Sequence, residues 1–357
     1  MKRKLRITLT ILLTSINVAV IIAMVICAYS TYLKPQVHPY WSWIGMLFVV
    51  FMAADIAFIP IWLFFRRHML ILPVTGLMTC AWAAKATIPF NPFSDEDGHN
   101  LKVITYNVMN MGDPEIRKDL SKNPILDYII EQDADIVCLQ EAIHINHGDN
   151  MTKLRKVYPY IELQLTGRNF MAVLSKYPVT QVDDLNDEAT QSRTYAYHIA
   201  FGDDTMLVIN NHFESFKLKK EDKEEYVDII KSPESPNTRQ HLKSLMRKII
   251  SANKKRGPQV DFIYDYIARR TEKNIILCGD FNDVPVSYTH NKLTKLLNDS
   301  YTRGGNSYEW SYNRNYMYFR IDNIMVSSNI KVCKSKVDKT INTSDHYPLI
   351  SWLKVNK

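Results

Sequence analysis

The sequence predicts an α/β domain preceded by three membrane-spanning helices. Three apolar stretches, Ile7–Tyr29, Ser42–Phe65 and Leu70–Ile88, each approach the ~20 residues that a helix needs to cross a bilayer. Further along the chain, apolar β-branched runs alternate with amphipathic helical patterns, which is typical of an α/β domain. A polar segment with turn residues separates the two parts. We therefore predict three regions: an anchor, a linker and a large domain over residues 1–90, 91–99 and 100–357.

The first apolar stretch predicts an uncleaved anchor, although the basic segment Lys2–Arg6 resembles the start of a signal peptide. Its apolar run is longer than the ~7–15 residues usual in signal peptides, and two more stretches follow. The N-terminal cations, with Arg66 and Arg67, indicate the cytoplasmic side, whereas the first loop holds only Lys34. Everything after Pro89 is then expected on the opposite face, which for a bacterial inner membrane is the periplasm.

The basic net charge belongs to the anchor. The first 90 residues hold eight Lys/Arg and a single acid, Asp55, whereas the remainder holds 36 of each sign. A domain that grips long duplex DNA usually carries a basic excess, so this charge indicates topology and not a nucleic-acid footprint. Asp55 itself lies within the second apolar stretch, where an acid is a functional candidate. The structural alternative is that Asp55 pairs with Lys85 or with a polar neighbour on an adjacent helix.

Secondary structure can be predicted at several points of the large domain. A helix is expected over Pro124–Gln132 behind the cap Asn123, and strands over Phe170–Ser175, Tyr195–Phe201 and Met206–Asn211. A long helical insertion between residues 212 and 274 is expected to break at Ser232–Pro236 and at Gly257–Pro258. Within it, the mixed charges of Lys217–Glu225 predict a solvated helix face.

Polar side chains follow apolar strands at six places. The most informative is Ile275–Asn282, where an apolar run ends in Asp280 and Asn282, two residues apart and therefore on one side of the strand. The other five elements have the same character, and they are Val103–Asn107, Ile136–Glu141, Leu207–Ser215 with His212, Arg320–Val326 with Asp322, and Ser344–Ile350 with Asp345 and His346.

These six elements, in this order, resemble the endonuclease/exonuclease/phosphatase superfamily. That superfamily includes deoxyribonuclease I, neutral sphingomyelinases, inositol polyphosphate phosphatases and messenger-RNA deadenylases. The resemblance runs from about Asn100 to the end of the chain. It implies a four-layer α/β sandwich of two packed sheets flanked by helices, and it implies metal-assisted attack of water on a phosphate ester.

The resemblance also implies a metal site. Phosphate-ester hydrolysis needs a cation, a base for the water and donors to the phosphate oxygens. Glu141 suits a hard ion such as Mg²⁺, which takes one or two carboxylates and keeps several waters. By resemblance Asn107 and Asp345 complete the ligand set, with Mn²⁺ as the alternative ion.

The remaining candidates are catalytic or bind the substrate. By resemblance, Asp280 orients or deprotonates the attacking water, Asn282 holds the phosphate, and Asp322 orients His346 for hydrogen bonding or proton transfer. A lone histidine in an apolar strand is often structural, but His212 matches the phosphate-binding histidine of the deoxyribonuclease and sphingomyelinase branches. Arg193 is a further candidate for a phosphate oxygen, with a surface arginine at a strand edge as the alternative.

Departures from the superfamily patterns narrow the branch. Met109 stands where apurinic-site endonucleases usually carry an acid, and His212 where they carry a tyrosine. The tryptophan before Gly-Asp and the Pro-Ala-Trp-Cys-Asp-Arg element of inositol 5-phosphatases have no counterpart in the sequence. The sequence therefore predicts a membrane-anchored, Mg²⁺-dependent phosphodiesterase acting on nucleic acid or phospholipid, with no protein partner implied. The alternatives are a catalytically silent membrane scaffold, and a sensor or transporter whose output is this domain.

Overall fold

The chain folds into a group of N-terminal helices followed by an α/β sandwich, as seen in a computed structural model. The structure describes residues 2–119, 122–166, 169–186 and 192–356. Its helices are α1 Lys2–Tyr29, α2 Phe48–Phe65, α3 Ile71–Thr79, α4 Ala81–Thr87, α5 Pro124–Gln132, α6 Asn150–Arg155, α7 Lys220–Lys231, α8 Thr238–Ala268, α9 Tyr288–Leu293 and α10 Ser300–Gly304.

The strands form two six-stranded sheets and one small hairpin. The bounds are β1 Leu101–Asn107, β2 Ile136–Gln140, β3 Tyr160–Thr166, β4 Asn169–Ser175, β5 Val179–Asp184, β6 Arg193–Phe201, β7 Asp204–His212, β8 Asn274–Asp280, β9 Asn298–Asp299, β10 Tyr312–Arg314, β11 Met317–Phe319, β12 Asp322–Val326, β13 Ile330–Val337 and β14 Leu349–Val355. The first sheet has the order β13-β14-β1-β2-β4-β3 and the second β5-β6-β7-β8-β12-β9, while β10 pairs with β11.

The two sheets pack face to face and each carries helices on its outer face. Period-two alternation divides the side chains between these layers: Val103 lies in the core between the sheets, whereas Ile104 packs beneath α5 and α6. On the other side, α8 and α9 cover the second sheet, with Val260 and Ile263 packed against Leu277. The predicted four-layer sandwich is therefore confirmed.

The strand directions bring the polar elements to one edge. β1 runs parallel to β2, and β7 runs parallel to β8, so their carboxyl ends lie together, with His212 opposite Asp280. β12 is antiparallel to β8, and its first residue, Asp322, is also opposite Asp280. The segment before β14 reaches the same edge, where Ser344 Oγ donates to the carbonyl of Asn107 at 2.7 Å. Residues that are far apart in sequence therefore lie close together, because this strand topology brings their strand ends to one edge.

Most predicted elements are confirmed, but one predicted break is wrong. α5 has the predicted bounds, and the side chain of Asn123 accepts a hydrogen bond from the Ile125 amide at its start. The break near Ser232 is also present, whereas α8 continues through Pro258 without interruption. Proline normally ends or kinks a helix because it removes one backbone donor. Here packing on both sides of Pro258 holds the helix, since Gly257 lies against Gln36 and Val260 against the second sheet.

Two N-terminal helical runs have the length and composition of membrane spans. Helical runs Lys4–Tyr32 and Pro39–Phe65 are long and apolar enough to cross a membrane. The third predicted span is instead a pair of helices, Arg67–Thr79 and Ala81–Thr87, bent by 69°, and it counts as a span only if the pair is taken together. Asp55 is buried and accepts a hydrogen bond from Asn17 on α1 at 2.8 Å, which is the structural alternative given for this acid.

The sequence did not predict that the N-terminal helices dock on the sandwich. Asn291 donates to the carbonyl of Thr31 at 3.2 Å, and Asn253 donates to the carbonyl of Ser42 at 3.0 Å. A Cβ on Gly45 would lie 2.0 Å from the carbonyl oxygen of Val286, so backbone meets backbone there. The loop between α1 and α2 is therefore part of the surface on which the sandwich rests.

Gly279 is required by the close approach of β7 and β8 directly before Asp280. Its φ is +137°, and a Cβ there would lie 1.8 Å from the carbonyl oxygen of Asn211. We expect Gly279→Ala to destabilise the protein by about 3 kcal/mol or more, because backbone has to move in a packed sheet. Gly202→Ala is the matched control, since its φ is +64° but nothing lies near the added methyl, and it should cost about 1 kcal/mol. Thermal unfolding of both variants checks this, and equal shifts would contradict it.

Candidate active site

Two buried carboxylates and one imidazole form the centre of the polar edge. Asp322 Oδ2 lies 2.7 Å from His346 Nδ1, and His346 Nε2 lies 3.7 Å from Asp280 Oδ2. Asp280 and Asp322 are 1% and 0% exposed, so water screens their charges little. The hydrogen bond fixes the ring of His346 and leaves Nε2 facing Asp280.

The protonation states follow from this geometry. Burial would by itself lower the pKa of His346, but Asp322 and Asp280 raise that pKa well above its ordinary value. Burial raises the pKa of Asp280, and the charge of His346 opposes that rise. The arrangement therefore pairs an imidazolium donor with a carboxyl group whose proton affinity is increased, as general acid–base chemistry requires.

The three ligand atoms of Asp280, Asp322 and His346 lie within 4.8 Å of one another, which also satisfies the geometry of a metal site. Asp322 already accepts a hydrogen bond from His346, however, and a cation on His346 Nε2 would require the imidazole to be neutral. The geometry therefore favours proton transfer for these three side chains, and it leaves the neighbouring acid Glu141 as the candidate ligand of a metal.

Glu141 is the residue best suited to a cation. Asn107 Nδ2 donates to Glu141 Oε1 at 3.3 Å and to Asp280 Oδ2 at 3.1 Å, so two carboxylates converge on one amide. Among the described residues, Glu141 has no lysine or arginine within ion-pair distance; His212 Nε2 lies 3.8 Å from Glu141 Oε1. A hard divalent ion fits this oxygen-rich, uncompensated position. Asn107 presents its nitrogen there, so direct ligation by its oxygen would require the amide to turn over.

Two of the candidate site residues, Glu141 and Asn282, have a strained backbone conformation. Glu141 has φ +55° and Asn282 has φ +51°, a left-handed conformation that side chains other than glycine rarely adopt. The conformation costs about 1 kcal/mol per residue, and such strain clusters at functional sites. It lets the chain turn sharply after β2 and β8, so that both side chains point back over the sheet edge.

Of the other predicted site residues, three lie at this edge and one, Arg193, does not line the cavity above it. His212 Nε2 lies 3.7 Å from Asp280 Oδ2, and Asn282 holds Asp280 in place by donating its backbone amide to Oδ1 at 2.8 Å. Asp345 also faces this edge, 3.9 Å from Lys223 Nζ. Arg193 begins β6 opposite His212, but it is not among the residues that line the adjoining cavity. Its predicted phosphate contact remains a prediction.

A cavity of about 320 Å³ opens over these side chains. Seven of the nine predicted site residues line it: Asn107, Glu141, His212, Asp280, Asn282, Asp345 and His346. Asp322 lies behind His346. The cavity has the size of a small-ligand site, so the polar edge is accessible to a substrate.

Sequence reasoning missed several residues of this cavity. Lys217–Glu225 was expected to be a solvated face, but Lys217 and Lys223 line the cavity. Lys223 Nζ also lies 5.4 Å from the ring centroid of Tyr312, whose ring meets His346 edge-on at 5.2 Å. A signal was available, because Lys223 and Tyr226 are three residues apart and share one helix face.

Comparisons with known proteins bear on the family and the fold of the chain. The family model of the Endonuclease/Exonuclease/phosphatase family matches residues 104–346. The chain belongs to this family. A second family model, a domain of unknown function (DUF8431), matches residues 10–87. A search of the curated proteins found no match.

Solved structures of low sequence identity share the fold. Truncated TDP2 of Caenorhabditis elegans aligns with a TM-score of 0.51 and 16% identity over 73% of this chain and 100% of its own. An endonuclease/exonuclease/phosphatase family protein from Bacteroides thetaiotaomicron gives 0.50 and 16% over 72% and 98%. The human Nocturnin catalytic domain with bound sulfate anion gives 0.50 and 16% over 72% and 94%. Their alignment leaves most of the N-terminal helices of this family member unmatched.

We expect Asp322→Asn to lower the pKa of His346, because the carboxylate at 2.7 Å is a main cause of its raised value. His346 should then lose its proton at a lower pH than in the unaltered protein. Histidine NMR in metal-free buffer measures this, with the signal assigned by comparison with His346→Gln. Asp203→Asn, at an exposed turn, is the control and should leave the signal unchanged. An unaltered pKa in Asp322→Asn would contradict the assigned pairing.

Proposed function

We propose that the protein is a metal-dependent phosphodiesterase that acts on nucleic acid or phospholipid by attack of water at phosphorus. Family and fold support hydrolysis of phosphate esters in general. One observation carries the finer proposal. His346, hydrogen-bonded to Asp322, faces Asp280 at the floor of a cavity that also contains the uncompensated acid Glu141.

The chemistry divides among these side chains. Asp280 accepts a proton from the attacking water, which its burial and increased proton affinity favour. His346, as imidazolium, donates from Nε2 to a phosphate oxygen, while Asp322 holds its ring. Asn282 and His212 contact the remaining oxygens from the same edge. These roles require no rearrangement of the strands that hold them.

A divalent cation completes the proposed site. Glu141 would hold it, with Asp345 and Asn107 as further oxygen donors, and Mg²⁺ is proposed with Mn²⁺ as the alternative. When bound, such an ion offsets charge on the phosphate and lowers the barrier to attack. Lys223 and Lys217 supply additional positive charge at the rim of the cavity.

The rival proposal is a scaffold or sensor that has kept the fold without the chemistry. Loss of catalytic groups would favour it, whereas here the candidate acid, base and metal-binding side chains face one cavity. Asp55 was the sequence feature that favoured a sensor or transporter. It is buried and accepts a hydrogen bond from Asn17, whose own oxygen accepts one from Trp62 Nε1 at 2.9 Å, and these contacts support a structural role for the acid.

We also propose that the helices anchor the protein in a bacterial inner membrane with the sandwich on the periplasmic side. The basic start of α1 lies beside the end of α2, where Arg6 Nη2 donates to the Phe65 carbonyl at 3.5 Å. The opposite ends contact the sandwich, through Thr31 at the end of α1 and Ala86 at the end of α4. Cations on the far side from the sandwich support a cytoplasmic N-terminus.

Hydrolysis of a generic phosphodiester tests the proposed function. With the full chain, Mg²⁺ and bis-para-nitrophenyl phosphate, we expect Asp280→Asn to lower kcat by about 10²–10⁴-fold, because the base is lost. EDTA should abolish turnover and Mg²⁺ restore it. Glu141→Gln should need about tenfold more Mg²⁺ for half-maximal rate, because a charged ligand is removed.

Asp203→Asn is the control for this assay, since the residue is exposed and lies in the turn between β6 and β7, at the opposite end of β7 from His212. It should match the unaltered protein in rate and in melting temperature. Near-normal turnover by a folded Asp280→Asn variant would refute the assignment of the base, and no turnover with Mg²⁺ or Mn²⁺ would favour the scaffold.

Cysteine labelling tests the proposed orientation. In a Cys333→Ser background we expect Asp203→Cys to react with a membrane-impermeable maleimide in intact spheroplasts, because it lies on the sandwich surface. His68→Cys, between α2 and α3, should react only after lysis. The reverse labelling pattern would contradict the proposed orientation and place the sandwich on the cytoplasmic side.

A further inference from the structure

We propose that the cavity beside the catalytic edge is a binding site for the alkyl portion of a lipid phosphoester, built jointly by the helical insertion and the loop between α1 and α2. This inference rests on the proposed function and names its substrate class. The cavity is lined by two kinds of side chain. Beside the candidate catalytic residues it is lined by apolar side chains: Met46, Phe216, Leu218, Leu245, Ile249 and Phe319.

The apolar lining comes from three parts of the chain: the insertion between β7 and β8, the loop between α1 and α2, and Phe319 of β11. Phe216 and Leu218 precede α7, while Leu245 and Ile249 lie on α8, which packs against α7. Met46 belongs to the helical turn Ile44–Leu47 that leads directly into α2. A wall of aliphatic and aromatic side chains beside a hydrolytic centre is expected when the substrate carries an apolar group next to its phosphate.

The apolar surface is continuous with a predicted membrane helix. A smaller cavity of about 30 Å³ shares Met46 and Phe319 with the larger one, and it is also lined by Phe48 and Val49 at the start of α2. Gly45 fixes this junction, because its backbone lies against the Val286 carbonyl in the loop that follows Asp280 and Asn282. Met46 and Phe319 thus lie between the start of α2 and the larger cavity, while Thr87, Glu309 and Arg320 also line the smaller one.

A lipid suits this surface better than a nucleic acid. The sandwich and linker carry equal numbers of acidic and basic residues, without the basic excess that long nucleic acids attract. Lys217 and Lys223 line the cavity, and each already pairs with an acid: Lys217 with Glu214 at 2.8 Å and Lys223 with Asp345 at 3.9 Å. Aliphatic side chains such as Met46, Leu245 and Ile249 offer no hydrogen bonds with which to recognise a base edge.

A homologous series of diesters tests the proposal. The full chain in detergent micelles with Mg²⁺ is given para-nitrophenyl ethyl, butyl and hexyl phosphates. In each reaction water forms the new P–O bond, Asp280 takes its proton, and the bond to para-nitrophenolate breaks, leaving an alkyl phosphate. We expect kcat/KM to rise about two- to fourfold per methylene, the upper value being full burial of a CH₂ group.

Variants locate the origin of that rise. In Met46→Asn and in Ile249→Asn the ratio of kcat/KM for the hexyl ester to that for the ethyl ester should fall by about tenfold or more. Leu242→Asn is the matched control, because Leu242 is an exposed apolar residue of the same helix outside the cavity lining. It should keep the ratio of the unaltered protein, including any partition of the hexyl ester into micelles.

The outcomes separate this inference from the proposed function. Turnover without a chain-length dependence would overturn the alkyl site and leave the phosphodiesterase intact. Faster turnover of thymidine 5′-para-nitrophenyl phosphate than of the hexyl ester would assign the cavity to a nucleoside instead. An unchanged ratio in both Met46→Asn and Ile249→Asn would likewise overturn it. Failure to hydrolyse any ester with Mg²⁺ or Mn²⁺ would reject the proposed function itself, and this inference with it.

Discussion

Two carboxylates, Asp280 and Asp322, are buried against one imidazole, and the rest of the site is organised by the need to balance their charge. Removing such groups from water costs several kcal/mol each unless they are paired and hydrogen-bonded. His346 lies between them, Asn282 donates its backbone amide to Asp280, and Asn107 links Asp280 to Glu141. Asn107, Asp280 and Asp322 are held at strand ends, whereas His346 lies in the segment before β14 and is joined to Tyr312 by a β-bridge. The sheet edge therefore fixes the two carboxylates, and the hydrogen bond between His346 and Asp322 holds the imidazole beside them.

The sequence alone predicted the sandwich and most of the polar side chains that the structure brings to one edge, because the signals are local. Asp280 ends an apolar run, and Asn123 precedes a helical pattern. In both cases the neighbouring residues in the sequence are enough to predict the local structure. What could not be predicted depends on distant contacts. Pro258 remains inside α8 because Gly257 meets Gln36, more than two hundred residues away in sequence. Lys223 looks like one member of a solvated charge run until the fold brings it beside Asp345.

The N-terminal helices contribute more than attachment. The loop between α1 and α2 accepts hydrogen bonds from Asn253 of α8 and Asn291 of α9. In the sandwich, Arg320 Nη2 donates to the Ala86 carbonyl at 3.1 Å. Arg320 also pairs with the buried Asp299 at 2.9 Å, so the contact is linked to an internal charge network. An anchor that only tethered the domain would not need such buried polar contacts. The orientation of the cavity relative to the helices is consequently fixed by the same surface.

The hydrogen-bonded group of Asn17, Asp55 and Trp62 has a consequence for how the molecule is made. It joins α1 to α2 through two hydrogen bonds, and both helices are complete long before residues 253 and 291 leave the ribosome. During synthesis the helix pair can therefore assemble first and present its loop as a template on which the later-made sandwich folds. A sandwich released without that template would expose the backbone at Val286 and the amides of Asn253 and Asn291. Order of synthesis and order of assembly thus coincide in this chain.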